Sequence, residues 1–485
     1  MILNNIFRNR NKTKTSQYLG KEQIRQYFEH SADQRLDWKR KNRYYHQNLE
    51  SYFSFIIPPN SKVLEIGCGT GELLNSVKPA YGVGIDFSEK MLAIAKNQFP
   101  LLEFYLQDLE DLNIDTKFDY IILSDLVGSL WDIQKAFKNL NKIIHQRTRI
   151  VISFYNYLWE PILKFSELIG RKQKQPIQNW LSIEDIGNLL ALENFEIVKI
   201  DRKLLFPFKI PFLSMLMNRV LANISLINKF CLVNLLIART RLETNQDFSV
   251  SIIIPAKNER GNIENAIRLM PKFGASQEFI FVEGSSSDKT YEEMLKVKEN
   301  YKYQNIIVMK QSGKGKGNAV REGFDKATGD VLIILDADLT VSPEDLPKFY
   351  NAIQTNRGEF INGCRLIYQM DKMAMRFLNL LGNKFFSLLF SYLLGQRLKD
   401  TLCGTKVLFK KDYNIIKENR SYFGDFDPFG DFDLLFGAAK LNLKIIDLPI
   451  RYKEREYGST QIRRFSHGWL LIKMSLLAAK RIRFI

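Results

Sequence analysis

Two clusters in this sequence have residue types and spacing that could do chemistry. The first is Val63-Leu64-Glu65-Ile66-Gly67-Cys68-Gly69-Thr70-Gly71, an apolar run that ends in three alternating glycines. A chain turning sharply from strand to helix needs residues without Cβ, and the turn brings backbone N–H groups close to a ligand. A second apolar run, Val83-Gly84-Ile85, ends in Asp86, a carboxylate that can bind both hydroxyls of a ribose. Gln107-Asp108-Leu109 follows, where a loop could cover an adenine, and Phe118-Asp119 opens a run into Ser124-Asp125. The second cluster is Leu332-Ile333-Ile334-Leu335-Asp336-Ala337-Asp338, an apolar strand ending in two hard oxygen ligands of the kind a divalent cation takes. Ahead of it stand Ile254-Pro255-Ala256-Lys257-Asn258-Glu259, then Val282-Glu283-Gly284-Ser285-Ser286-Ser287-Asp288, then Gly313-Lys314-Gly315-Lys316-Gly317.

The elements around these clusters alternate. KVLEIG, YGVGID, FDYIIL and RIVISF read as strands, with helices over MLAIAKNQF and IQKAFKNLNKII. SVSIIIP, EFIFVEG, QNIIVMK and DVLIILDAD repeat the pattern further on, and KIIDLPIRY reads as a late short strand. Strands alternating with helices predict an α/β protein with parallel, doubly wound sheets, whose ligands sit at the carboxyl ends of the strands. Residues 204–238 are apolar but broken by Lys209, Arg219 and Lys229, and read as helical packing elements. The polar stretch 239–247 reads as a linker.

The glycine loop, Asp86, Asp108 and Ser124-Asp125, in this order, resemble class I S-adenosylmethionine-dependent methyltransferases over about 50–200. The resemblance implies a Rossmann-like domain, with Glu65 and Gly67 facing the methionine end of the cofactor and Asp86 its ribose. Gly69 and Gly71 complete the loop, Asp108 and Leu109 border the adenine, Met91 packs on it, and Ser124 lies nearest the sulfonium. In-line methyl transfer needs alignment more than a dedicated base, so the residues name no base and no acceptor.

The second series resembles glycosyltransferase family 2 from about 248 to 462, which implies a GT-A fold. Asp336 and Asp338 would then hold Mg²⁺ or Mn²⁺, which neutralises the charge growing on a leaving diphosphate. Pro255, Asn258, Glu259, Glu283, Asp288 and Lys316 would bind the nucleotide sugar. Where the family commonly has two adjacent Asp, this chain has Glu283-Gly284. The later order Asn362-Gly363-Cys364-Arg365, Arg376, Asp400-Thr401-Leu402-Cys403-Gly404 and Arg455-Glu456-Tyr457-Gly458 looks like dolichyl- and polyprenyl-phosphate sugar transferases. That likeness puts Arg365 and Arg376 on an acceptor phosphate and Arg455 on a donor or acceptor phosphate. The usual Gly-x-Ser-Lys is Gly458-Ser459-Thr460-Gln461 here, one cation fewer. A phosphate acceptor needs no strong base, whereas a hydroxyl acceptor would, and Asp431 and Asp433 are the candidates for it or for a capping role.

The chain has 485 residues, 45% of them apolar and 25% charged, which is the balance of a folded protein. Four scattered Cys and four His support neither a disulfide framework nor a zinc site. The net charge of +17 is concentrated at the ends: residues 1–46 hold 11 Lys/Arg against 4 Asp/Glu, and 451–485 hold 9 against 2. Basic ends suggest an anionic membrane surface or nucleic acid. No zinc-finger, RRM or helix-turn-helix signature supports nucleic acid. Residues 373–398 and the tail, with Phe465, Trp469, Ile472, Leu476 and Ala479 on one helical face beside cations, carry an interfacial pattern. The longest charge-free stretch is 385–396, too short to span a bilayer. The expected organisation is a basic helical leader (1–50), a methyltransferase domain (51–240), a linker (241–247), a glycosyltransferase domain (248–462) and a basic amphipathic tail (463–485). The expected protein is a cytoplasmic two-site transferase lying on the inner face of the membrane. It would move a sugar, with inversion, to polyprenyl phosphate or another lipid-linked acceptor. The alternatives are a non-catalytic S-adenosylmethionine-binding regulatory domain, or a hydroxyl acceptor in polysaccharide synthesis.

Overall fold

The computed structural model describes residues 20–175, 178–368, 377–422, 432–455, 457 and 464–483. It divides into two compact units, Met1–Ile197 with Asp201–Thr240, and Val198–Ile200 with Arg241–Ile485.

The first unit is built on strands β1 (Lys62–Ile66), β2 (Tyr81–Asp86), β3 (Glu103–Leu106), β4 (Tyr120–Ser124), β5 (Arg149–Tyr155), β6 (Phe195–Lys203) and β7 (Val233–Thr240). They lie in the order β3-β2-β1-β4-β5-β7-β6. β1 through β5 pair parallel, and β7 runs antiparallel to β5. Alternate residues of each strand feed opposite faces. Leu64, Ile66, Ile121 and Leu123 join Phe137 and Leu140 in one core, while Val63, Ile122 and Val151 join Phe53, Leu92 and Phe104 in the other. Because both faces are covered, these strands read as unbroken apolar runs. Helix Glu89–Gln98 starts at Ser88, whose Oγ accepts from the Met91 N–H, and helix Ile133–Leu140 starts at Asp132, which accepts from Lys135. The sheet changes direction between β1 and β4, and ligands of doubly wound sheets bind outside the carboxyl ends at such a point.

Part of the 204–238 reading is corrected here. Residues 233–240 form a strand buried along its whole length, not a helix. A short apolar run gives no periodicity that separates a buried strand from a buried helix. Arg239, taken as the start of the polar linker stretch, is fully buried in β7 and holds Glu196 through Nε and Nη2 at 2.9 and 2.7 Å. Two helices, Lys21–Lys41 and Arg43–Ile56, precede β1. The second runs across position 50 and buries Tyr45, Leu49, Tyr52, Phe53 and Ile56, the stripe of an amphipathic helix.

The second unit has strands β8 (Ser249–Ala256), β9 (Ser276–Glu283), β10 (Asn305–Lys310), β11 (Val331–Ile334), β12 (Phe360–Cys364), β13 (Lys406–Phe409) and β14 (Ile445–Pro449). Their order is β10-β9-β8-β11-β13-β12-β14. β8 to β11 pair parallel, whereas β13 runs antiparallel to both β11 and β12. The direction again changes between β8 and β11, at the carboxyl end where Asp336 and Asp338 emerge. Helix Phe377–Leu394 buries Phe386, Phe390, Leu393 and Leu394 against this core.

Candidate active sites

In the first unit, Gly67, Gly69 and Gly71 all have positive φ (68°, 52° and 83°), a conformation that side chains resist. A Cβ on Gly67 would meet Leu126 Cδ1 at 2.8 Å, whereas one on Gly69 would meet nothing within 4 Å. The Gly69 N–H is aimed at Asp86, whose Oδ2 accepts it at 2.9 Å while Oδ1 accepts from the Ser88 N–H at 2.9 Å. Asp86 is thus fixed by backbone donors and keeps lone pairs for a diol. Burial raises its pKa against those hydrogen bonds.

A cavity of about 1830 Å³ opens above this turn. Gly67, Gly69, Asp86, Met91, Asp108, Leu109 and Ser124 line it together. Gly71 caps the helix Glu72–Ser76. Glu65 is not part of the cavity lining: it is 3% exposed, with Oε2 unpartnered, and burial pushes its pKa up to about 8. Cys68 is buried and its thiol is pushed well up by burial, so it is no nucleophile.

Sequence reasoning missed what the first two helices contribute. Lys21 pairs with Asp108 at 2.7 Å and Glu110 at 3.0 Å. Lys39 donates to Thr70 at 2.8 Å and pairs with Glu72. Tyr45 donates to Asp125 Oδ2 at 2.6 Å, and Ser153 Oγ donates to Asp125 Oδ1 at 3.2 Å. Asp125 has φ 52° and is half-buried, and desolvation raises its pKa. His46 is held neutral, lowered to about 3 by burial and by Lys39 and Arg35. Only Tyr45, in the apolar stripe of its helix, carried a sequence signal, and that signal was one of packing.

In the second unit, the turns after β8 and β9 are knitted together. Asn258 (φ 57°) accepts from the Ser287 N–H through Oδ1 at 2.8 Å, and its own N–H donates to Ser286 Oγ at 3.0 Å. Glu283 accepts from the Ser286 N–H, and Asp288 accepts from the Arg260 N–H and the Tyr457 hydroxyl at 3.2 and 3.3 Å. Pro255 is the last residue but one of β8, opposite Val282. Glu259 accepts from Asn262 at 2.8 Å and from Arg455 at 3.2 Å, and burial pushes its pKa up to about 7. The same guanidinium reaches Asp338 Oδ2 at 2.5 Å, and Lys316 Nζ reaches Asp336 Oδ1 at 2.6 Å. Each acid of the Asp-x-Asp pair therefore has a cation beside it. Among the described residues no group of three or more His, Cys, Asp or Glu side chains could hold a metal ion alone. Two carboxylates at a strand end can do so only jointly with oxygens of a ligand.

Arg365 is tied to a buried acid. Its Nε and Nη2 hold Asp400 at 2.7 and 2.8 Å, and its plane stacks on Tyr452. Asp400 is fully buried and also accepts from Asn383 at 2.7 Å. One bidentate edge of the guanidinium is thus engaged by a buried carboxylate. Asp433 is buried between Arg321 at 3.7 Å and Arg420 at 3.5 Å. Arg376, Asp431 and the Gly458–Gln461 run lie outside the described residues.

Comparison with known proteins adds the families. A methyltransferase domain model matches residues 63–147, and a glycosyl transferase family 2 model matches 251–414. The chain is 34% identical over 120 residues to the dolichol-phosphate mannosyltransferase of Pyrococcus furiosus, covering 24% of this chain and 33% of that one. It is 27% identical over 235 residues to a low-salt glycan biosynthesis hexosyltransferase of Haloferax volcanii, covering 48% and 54%. It is 29% identical to the dolichyl-phosphate beta-glucosyltransferase of Saccharomyces cerevisiae, covering 44% and 69%. The chain thus spans a third to about half the length of the first two relatives. Among solved structures, magnesium protoporphyrin IX methyltransferase from Synechocystis aligns at 19% identity and TM-score 0.33, covering 45% of this chain and 98% of that one. The chain thus carries a region that matches a methyltransferase domain ahead of a region that matches glycosyl transferase family 2.

Proposed function

We propose that the second unit moves a sugar from a nucleotide to polyprenyl phosphate, and that the first unit transfers a methyl group from S-adenosylmethionine. The observation that carries the sugar-transfer reading is the paired arrangement of Lys316 with Asp336 and Arg455 with Asp338 at the ends of β8 and β11. Asp336 and Asp338 would hold Mg²⁺ or Mn²⁺ together with diphosphate oxygens. The ion would supply charge neutralisation for the leaving group. Lys316 and Arg455, released from the acids, would turn to the same phosphates. An acceptor phosphate attacks the anomeric carbon as an anion, so the step needs no base and inverts the centre. Asp433, held by two guanidinium groups, is poorly suited to serve as a base, which favours a phosphate over a hydroxyl acceptor. The relatives named for dolichyl phosphate support the same acceptor class.

For methyl transfer, Gly67 and Gly69 offer open backbone, Asp86 an anchored acceptor for the ribose diol, and Met91, Asp108 and Leu109 the adenine wall. Residues 51–240 would form this domain and 248–462 the other, joined by 241–247. Peripheral membrane binding is supported by Trp469, Ile472 and Leu476, which are exposed on one helix with Lys473, and by Leu381, Phe385 and Leu388, which are exposed on another with Lys384. Among the described residues no helix is long and apolar enough to cross a membrane.

The test is incubation with polyprenyl phosphate, radiolabelled sugar nucleotides and Mn²⁺ or Mg²⁺, counting label extracted into organic solvent. Metal-dependent lipid label that is lost in Asp338→Asn is the expected result. No lipid label with any donor refutes the acceptor.

A further inference from the structure

We infer that residues 204–230 of the first unit, between β6 and β7, form a docking surface for an anionic bilayer. The inference also makes a lipid-borne molecule the class of methyl acceptor, a part that rests on the methyl-transfer reading above. The segment is inverted relative to an ordinary protein surface. Its polar Ser214, Asn218, Asn223 and Asn228 are buried, while Phe212 is 85% exposed, Leu226 75%, and Phe208 and Phe230 59% each. The buried amides serve the loop's own backbone. Asn218 donates to Phe206 O and accepts from Phe206 N–H, both at 2.8 Å, and Asn228 donates to Arg202 O at 2.9 Å. With the asparagines turned inward, most of the apolar side chains are left facing out, Leu204 and Ala222 being buried. A contiguous apolar face of this kind on a folded protein marks an interaction site.

Charge selects the partner. The charged residues of 204–230 are Lys209, Arg219 and Lys229, all exposed, with no acid among them. Apolar and aromatic side chains ringed by cations match a bilayer with anionic headgroups. Two-fold contact with a second copy would instead set this cationic patch against itself. The surface continues onto the helix Glu160–Leu168. Trp159 Nε1 donates to Phe230 O at 2.8 Å, and Ile162, Phe165 and Leu168 are exposed beyond it.

The surface also reaches the cavity, because Pro207, Phe208 and Lys209 line it together with Leu163 and Ile169. A single ligand fills roughly 300–1,000 Å³. A cavity of about 1830 Å³ therefore has room for a second ligand beside a nucleoside cofactor. Its apolar wall and cationic rim suit an amphiphile entering from the membrane plane.

The four cysteines Cys68, Cys231, Cys364 and Cys403 are buried, so Phe212→Cys gives the full chain one accessible thiol for an environment-sensitive fluorophore. With phosphatidylglycerol/phosphatidylethanolamine vesicles the label should shift to the blue and be quenched by lipid-borne quenchers, more weakly with phosphatidylcholine alone. Phe212→Glu/Leu226→Glu should lower vesicle affinity about tenfold or more. Binding of S-adenosylhomocysteine should be unchanged, since neither residue lines the cavity. With labelled S-adenosylmethionine and vesicles of total membrane lipid, the wild type should leave label in the organic phase and the double variant should not. A label that keeps its aqueous emission on vesicle-bound protein overturns the docking surface. So does a label already shifted without lipid in a protein that sediments as a dimer, which would make a second copy the occupant. Docking without organic-phase label overturns the acceptor class alone, while failure to bind S-adenosylhomocysteine overturns the methyl-transfer reading and leaves the docking result standing.

Discussion

Alanine at Gly404 tests the second site without touching its chemistry directly. Gly404 has no positive φ, so alanine brings no backbone penalty there. Its Cβ, however, would lie 2.0 Å from Asp336 Oδ2 and 2.3 Å from Lys316 Nζ. An ordinary contact is about 3.5 Å between heavy atoms, so both atoms must retreat by more than about 1 Å. Lys316 can do so along a flexible stem. Asp336 has only two torsions and must swing its carboxylate off the strand end. Metal–oxygen distances tolerate about 0.2 Å, so this carboxylate would stop serving as a ligand. A misplacement of about 1 Å at a reacting centre costs on the order of 100-fold in rate. Gly404→Ala should therefore lose about two orders of magnitude in sugar transfer, approaching Asp336→Asn, while its thermal midpoint moves by only a few degrees. The assay is initial-rate transfer of radiolabelled sugar to polyprenyl phosphate, with calorimetry on the same samples. Activity within twofold of wild type would show that the Asp336 carboxylate is not needed where the structure places it.

Four further outcomes follow from the geometry. Mn²⁺ should bind weakly to the protein alone and at least tenfold more tightly with a nucleoside diphosphate, because two carboxylates make only part of a coordination sphere; titration by electron paramagnetic resonance reads this, and equal affinities would contradict it. Arg365→Ala should cost about 3–5 kcal/mol in urea unfolding by leaving Asp400 buried and unpaired, whereas an unchanged midpoint would mean the pair is not closed in solution. Burial raises Asp400, but Arg365 outweighs it and brings the pKa down to about 2, so the pair's stabilisation should be full above about pH 4 and fade as pH falls toward 2. Glu65 is shifted the other way: its pKa rises from 4.5 to about 8, so its ionisation should remove stability progressively as pH climbs through that window. Glu65→Gln should flatten the pH dependence between pH 5 and 9 by a few kcal/mol, and an unaltered slope would refute the desolvation account.

Much of both sites was legible because phosphate and nucleoside chemistry constrains short, contiguous runs. Gly67, Gly69 and Gly71 had to be glycines where φ is positive, and Asp336 and Asp338 had to follow an apolar strand to reach its carboxyl end. The strands flanking these motifs were equally plain, since burial on both faces removes polar alternation. β7 was not legible, because eight buried residues carry no period that separates strand from helix. Nor were β12 and β13, whose short runs lie between segments of helical character.

By itself, the sequence determined the two motif series, their order along the chain, and the residue types at the strand ends. Those properties depend on residue type and local spacing, which a linear string records. Tertiary structure alone decided which charges meet. It set Lys316 and Arg455 on the Asp-x-Asp acids, spent Arg365 on Asp400, and laid Tyr45 and Lys21 over a cavity whose floor lies far along the chain. It also turned 204–230 inside out, burying its asparagines and exposing its phenylalanines. A sequence shows that a residue is apolar or charged; only the folded chain fixes which side of it meets protein and which meets solvent.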